Sequence, residues 1–222
     1  MSSFSFQKAH QIQQCLSKKI IRENRLPSKI RTIAGVDVSY VGDLGVGSIT
    51  VLDYDSLALL ETQMASCKVK MPYIPTLLSF RELPPAMAAI KKLTLQPDVF
   101  LVDAQGLAHP YRCGFASHRG LALGKPTIGA AKSRLIGQPV EGDGETLLVD
   151  KDEVIGAVVT TKQGTNPVHL SIGHMVTLET AVTIVLHCSK TRIPVPLRLA
   201  HNLASKDRIR LEQESKVNNS EK

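Results

Sequence analysis

Four consecutive apolar residues, Val99-Phe-Leu-Val102, lie between Pro97-Asp98 and Asp103, and this short run restricts the fold more than any other feature. With no polar residue at alternate positions, it reads as a strand buried on both faces, which requires a sheet with a layer packed on each side. The run stops at a carboxylate. An Asp placed directly after buried residues costs free energy unless a cation or hydrogen-bond donors meet it. Behind it the chain breaks into Gly106 and Pro110, with His109, Arg112, His118 and Arg119 close by. Loops at the carboxyl ends of sheet strands are where a rigid scaffold presents chemistry.

The rest of the chain supplies the sheet and its cover. Thr32–Tyr40, Val46–Tyr54 and Leu57–Val69 are β-rich runs joined by turns that contain glycine or aspartate, which predicts an antiparallel meander. Apolar spacing predicts helices within residues 4–24, over Ala116–Leu123, from the N-cap Thr177 to Leu186, and over Leu197–Ala204. A further helix is expected to begin at Pro84 or Pro85 and run to about Leu95, because a residue before proline avoids helical geometry. That leaves Glu82 just ahead of the helix. A strand at Pro126–Ala130, a turn at Glu141–Glu145 and a hairpin of Val154–Thr160 with Val168–Ser171 complete an α/β chain with a mixed sheet. Residues 1–206 read as one domain, and 207–222 as a frayed polar tail.

Charge and cysteine usage narrow the setting. A formal net charge of +7 over 222 residues favours a polyanionic partner. The lysines and arginines between Lys8 and Arg31 read as the solvated face of a packing helix and its linker. None of the four cysteines forms a Cys-x-x-Cys pair, which argues for reduced thiols in a cytoplasmic protein and against a zinc ribbon. No stretch reaches membrane-spanning length.

Three acids then stand out. Asp37 lies inside the first strand, flanked by Val36 and Val38, where aspartate is depleted and expensive if buried. Parallel pairing of the first and fourth strands would set Asp37 beside Asp103, with Glu82 approaching from the helix. Clustered carboxylates repel unless a cation shares them, and hard oxygen ligands select Mg²⁺, or Mn²⁺ as a substitute, over zinc. Such an ion lowers the pKa of a bound water and stabilises in-line displacement at phosphorus. Lys132, at the end of the strand after Pro126, would add a fixed positive charge, and His109 is placed for proton transfer or a phosphate contact. Two prolines in Pro72-Tyr73-Ile74-Pro75 would hold Tyr73 on a rigid wedge.

With these motifs the chain resembles endonuclease V, a deoxyinosine-directed repair nuclease of RNase H-like fold. The resemblance rests on Ala34-Gly-Val-Asp37-Val, Pro72-Tyr-Ile-Pro-x-Leu-Leu-x-Phe-Arg-Glu82, Val102-Asp103-x-x-Gly106-x-x-His109-Pro, Gly114-x-Ala-Ser-His118-x-Gly120, Gly129-x-Ala-Lys132 and Pro196-x-Arg-x-Ala200. It implies metal acids at Asp37, Glu82 and Asp103, an active-site lysine at Lys132 and a functional histidine at His109. It also implies that Tyr73 fills the gap left by an extruded base, and that Leu78, Gly106, Gly114 and Leu135 line the pocket for that base. The implied reaction cleaves the second phosphodiester on the 3′ side of deoxyinosine in DNA, leaving 3′-hydroxyl and 5′-phosphate ends. RNA and junction DNA are the alternative substrates, a non-catalytic nucleic-acid-binding module on the same fold is the alternative from another class, and a monomer is the expected unit. Thr76 and Ala104 stand where glycine is frequent in that family, Tyr111 where arginine is frequent, and His201 where other members carry aspartate. His201 is therefore counted on the substrate side of the site.

Overall fold

A computed structural model describes residues 5–142 and 144–220; expectations that fall on Phe4 and on residues 221–222 lie outside them. The sheet begins with the expected meander: β1 (Thr32–Val41), β2 (Leu44–Asp53) and β3 (Leu59–Lys68) pair antiparallel. The buried run becomes β4 (Val99–Val102), parallel to β1 with Val36 opposite Val102. β5 (Thr127–Ala131) lies parallel to β4 on its other side. β6 (Gln138–Glu141), β7 (Thr146–Asp150), β8 (Glu153–Val159) and β9 (Val168–His174) extend the sheet, and its order is β3-β2-β1-β4-β5-β9-β8-β7-β6. The fold is a mixed sheet flanked by helices, as expected. The sequence reading gave only a turn for the β6–β7 hairpin, because β6 is exposed along its whole length and has no apolar face to mark it.

Period-2 alternation divides the core. Val99 and Leu101 belong to one apolar layer, with Ile33, Leu52, Ile128 and Ala130; Phe100 and Val102 belong to the other, with Ala34, Val36, Ile49 and Val51. The first layer is covered by α4 (Leu178–His187) and the start of α5 (Val195–Ser220); the second is covered by α2 (Leu78–Ile90) and α3 (Phe115–Leu123). α1 (Phe6–Ser17) leans on α3 and ends seven residues short of the expected limit at 24, the chain turning at Lys18 and Lys19 and then running irregularly from Ile20 to β1. Thr177 caps α4, accepting from the Thr180 amide.

Two helices differ from expectation in ways that shape the site. α2 starts at Leu78 and carries Pro84 and Pro85 inside it, so Glu82 sits on the helix rather than ahead of it. The two prolines remove only two amide donors, whereas helical geometry from Leu78 buries Leu77, Ser79 and Pro85. The close approach of Pro85 depends on Gly47 in β2, where an added Cβ would lie 2.1 Å from the Pro85 carbonyl oxygen. α5 runs to Ser220, well past Ala204, through the stretch expected to be tail. Hydroxyls on the sheet set its register: Ser39, Ser48 and Thr50 donate to the carbonyls of Ala204, Ala200 and Pro196.

Candidate active site

The carboxyl ends of β1, β4 and β5 form a cleft lined by Asp37, Asp103, Lys132 and His201, with Val38, Ser39, Tyr40, Ser205 and Arg208 around them; its volume is about 440 Å³. The Asp103 amide donates to Val36 O across the β1–β4 pair, which sets the two aspartates together. Lys132 Nζ lies 2.6 Å from Asp103 Oδ2, and His201 Nδ1 lies 2.8 Å from Asp37 Oδ2. The register of α5 brings His201 here, one residue after the carbonyl that Ser48 holds. Glu82, on α2, is not among the residues lining the cleft, but its charge is coupled to the same two aspartates. Burial raises its carboxyl to about 8, helped by the charges of Asp37 and Asp103, against the opposing pull of Arg81. Asp37 is also raised, by burial first and then by Asp103, while the His201 contact opposes the shift. Three coupled, poorly solvated carboxyls are an arrangement that a divalent cation relieves. Among the described residues, no three His, Cys, Asp or Glu side chains stand ready-spaced as a metal cage. The donor chemistry nonetheless fits a hard cation: every acid offers oxygen, and the contacts already made to the two aspartates are with Lys132 and His201.

A second cavity, of about 200 Å³, opens beside the first. Tyr73, Leu78, Gly114, Leu135 and His109 line it, together with Thr76, Ser79, Ala104, Gln105, Phe115, Ser133 and Arg134. Strand alternation separates the two sites. Asp103 and Lys132 face the cleft, while their chain neighbours Ala104, Ala131 and Ser133 face the cavity. Tyr73 is 69% exposed, so it is a rim residue and not a core tyrosine. Gly106 does not line the cavity. It sits behind it, where a Cβ would meet Ile172 O at 2.2 Å, and its carbonyl accepts from the Gly114 amide.

The histidines and arginines that follow Asp103 in sequence go elsewhere. His109 lines the cavity rather than the acidic cleft. Its Nδ1 accepts from the Tyr111 amide at 3.2 Å, so the proton is on Nε2, which donates to Thr76 O at 3.0 Å. Burial pushes its pKa down to about 4, which keeps it neutral near pH 7. Both ring nitrogens are engaged by backbone, which gives His109 a loop-holding position beside the expected roles in proton transfer or phosphate contact. Arg112 bonds Glu153 and Asp150 on the β7–β8 hairpin, each at 2.7 Å. His118 packs edge-on against Phe80. Arg119 is fully buried over the Phe100 ring, and burial pushes it down to about 9. Lys132, 29 residues downstream of Asp103, is the cation that meets it.

Sequence reasoning missed Tyr40, Ser205 and Arg208 in the cleft and Gln105, Phe115, Ser133 and Arg134 in the cavity. For Ser205 and Arg208 a signal existed: residues 205–220 hold no glycine or proline and are rich in good helix formers. For the cavity set the only signal was adjacency to Asp103, Gly114 and Lys132.

Residues 14–202 match the sequence pattern of the Endonuclease V family. The Endonuclease V of Thermofilum pendens is 41% identical over 206 residues, covering 91% of this chain and 89% of that protein. That of Methanothrix thermoacetophila is 46% identical over 183 residues, covering 80% and 82%. Among solved structures, Endonuclease V from Bacillus subtilis aligns with a TM-score of 0.87 at 32% identity, covering 96% of each chain. A Ciona intestinalis Endonuclease V in complex with a 23mer DNA containing an inosine followed by a ribo-adenosine aligns with a TM-score of 0.84 at 32% identity, covering 95% of this chain and 100% of that one. No helix among the described residues is long and apolar enough to cross a membrane.

Proposed function

Because this chain belongs to the endonuclease V family, we propose that it is a divalent-metal-dependent endonuclease that cuts DNA near deoxyinosine. The bond cut is the second phosphodiester on the 3′ side of the lesion, and the products carry 3′-hydroxyl and 5′-phosphate ends. One observation carries the reading: consecutive residues at the ends of β4 and β5 alternate between an acidic cleft and a small cavity edged by an exposed tyrosine. Chemistry on a backbone phosphate and recognition of an extruded base are thereby held one residue apart.

Each side chain then has a task. Asp37, Asp103 and Glu82 would hold Mg²⁺, which supplies Lewis acidity toward a phosphate oxygen and acidifies a bound water. Lys132 keeps a positive charge beside Asp103 and faces the phosphate that enters the cleft. His201 holds the Asp37 carboxylate and borders the substrate path. Tyr73 presents its ring at the cavity mouth, where it can fill the stack vacated by the base. Leu78, Leu135 and Phe115 give the cavity apolar walls for a planar ring, and backbone at Gly114 comes close to its edge. His109 holds the Thr76 carbonyl and so fixes the rim beside Tyr73. Both sites are lined by one chain, so the monomer is the working unit of the proposal.

The deciding experiment is cleavage with Mg²⁺ of two otherwise identical duplexes, one of which carries a single inosine, followed by mapping of the product ends. Cutting confined to the inosine strand, one bond beyond the nearest 3′ phosphodiester, supports the reading. Equal cutting of both duplexes, or none with Mg²⁺ or Mn²⁺, removes it. The ribo-adenosine beside inosine in the DNA of the Ciona complex favours a second reading, in which RNA is also cut. Matched inosine oligonucleotides with deoxy or ribo sugars separate the two.

A further inference from the structure

We propose that α1 is a strap that sets the width of the base cavity, with Gln13 as its positioning residue. This rests on the functional reading of that cavity. The sequence marks α1 only as a packing helix with a charged face, and His10 and Gln13 precede the residues 14–202 that match the family pattern. Within α1, the buried residues are Ala9 and Gln13, so the long side chain driven into the protein is polar.

Gln13 joins two segments of the cavity wall. Its amide nitrogen donates to Thr76 O at 2.8 Å and to Cys113 O at 3.1 Å. His10, one turn earlier on the same helix face, repeats the bridge: Nε2 lies 3.3 Å from Thr76 Oγ1, and its ring stacks on Tyr111 at 4.3 Å between centroids. Thr76 and the neighbour of Cys113, Gly114, both line the cavity. Thr76 also has a φ of 71°, a left-handed backbone that a β-branched residue resists. Something must hold it there, and its carbonyl receives donors from both Gln13 and His109.

The Gln13 side chain is not present for stability alone. Its Oε1 is buried with no hydrogen-bond partner in the described structure, and an unpaired acceptor offsets what the two donated bonds contribute. What the amide supplies is geometry. It ties a strained rim beside Tyr73 to the loop after β4.

The test uses the full-length Gln13→Met variant, which keeps length and volume and removes both donors. Amide exchange at Leu77, which donates to Ile74 O, should quicken by about tenfold as the rim loosens. KM for an inosine duplex should rise by about tenfold, preference for inosine over adenine should fall with it, and saturated kcat should stay within about twofold. Adding Thr76→Gly should restore both KM and Leu77 protection, because glycine adopts that φ without strain. General loss of α1 packing would not be rescued in this way. Wild-type exchange and KM in the Gln13→Met variant, or a defect that Thr76→Gly leaves in place, would overturn the strap. If the wild-type protein shows no preference for inosine, the functional reading falls, and the exchange measurement still decides whether α1 holds the rim.

Discussion

The acidic cleft and the apolar cavity beside it share two strand ends and are built on opposite principles. The cleft gathers groups that destabilise one another: Asp37 and Glu82 are both raised by burial and by neighbouring negative charge. The cavity is mostly apolar, and its rims are held by side chains bonding to backbone, such as His109 and Gln13 on Thr76 O and Arg112 on the carbonyls of His109 and Asp150. A site for phosphate chemistry stores electrostatic strain that a cation can relieve. A site for reading a base needs shape, and shape is maintained by positioning bonds. Substitutions in the two regions should therefore fail differently, with activity lost in the first and selectivity lost in the second.

The largest expected effect is in the cleft. Asp103→Asn should lower cleavage by about 10³-fold or more. Loss of its ion pair to Lys132 is offset by removal of a charge near Asp37 and Glu82, so the thermal midpoint should stay within about 3 °C of wild type. Near-normal turnover by this variant would end the comparison, because the cleft would then not be where the bond is broken.

Glu82 gives a pH signature. Its carboxyl is raised to about 8 in the folded protein, so the native state holds a proton that the unfolded state has released. Between the unfolded value near 4.5 and about 8, stability of the metal-free protein should therefore fall as pH rises, and it is fully present below that window. Glu82→Gln should remove Glu82's share of this slope, leaving the part due to the raised Asp37 carboxyl, and should melt about 10 °C or more above wild type at pH 9 and close to it at pH 4.5, while cleavage is lost. Melting curves in a chelator across that range test the sign directly.

Effects in the cavity should be smaller and of another kind. Tyr73→Ala should reduce the preference for inosine over adenine by about tenfold while cutting continues. Its side chain is mostly exposed, so the melting temperature should move by no more than about 1 °C. Unchanged preference would show that the rim does not read the base. The smallest effect belongs to Arg112→Met. This side chain ties the cavity loop to Asp150 and Glu153 from a partly exposed position, so its loss should cost about 1–2 kcal/mol by denaturant titration and leave kcat within about twofold. A change in kcat as large as that of Asp103→Asn would mean that the two regions are not separable.

The legible parts of the chain were those where a local pattern has one physical solution. Val99–Val102 could only be a doubly covered strand, and Thr32–Lys68 with its glycine and aspartate turns could only be a meander. The pairing of Asp37 with Asp103 followed from those two facts and the parallel order of β1 and β4. Reading failed where tertiary packing outvoted a local rule. Pro85 packs inside α2 because glycines in β2 admit it, and the histidines and arginines after Asp103 are spent on the hairpin, the core and the cavity loop. Gln13 gave no signal, since a polar residue on an amphipathic helix ordinarily points to water.

The amino-acid sequence by itself determined the layered α/β plan, the pairing of Asp37 with Asp103 and the exposed loop that carries Tyr73, because strand periodicity, charge placement and proline geometry act over a few residues. Only the tertiary structure decided which cation answers Asp103, that His109 holds a loop, and that the first helix reaches the cavity. Those outcomes depend on the register of α5, on which loop lies over which strand, and on where a buried donor finds its acceptor, and such partners lie from 29 to 164 residues apart along the chain.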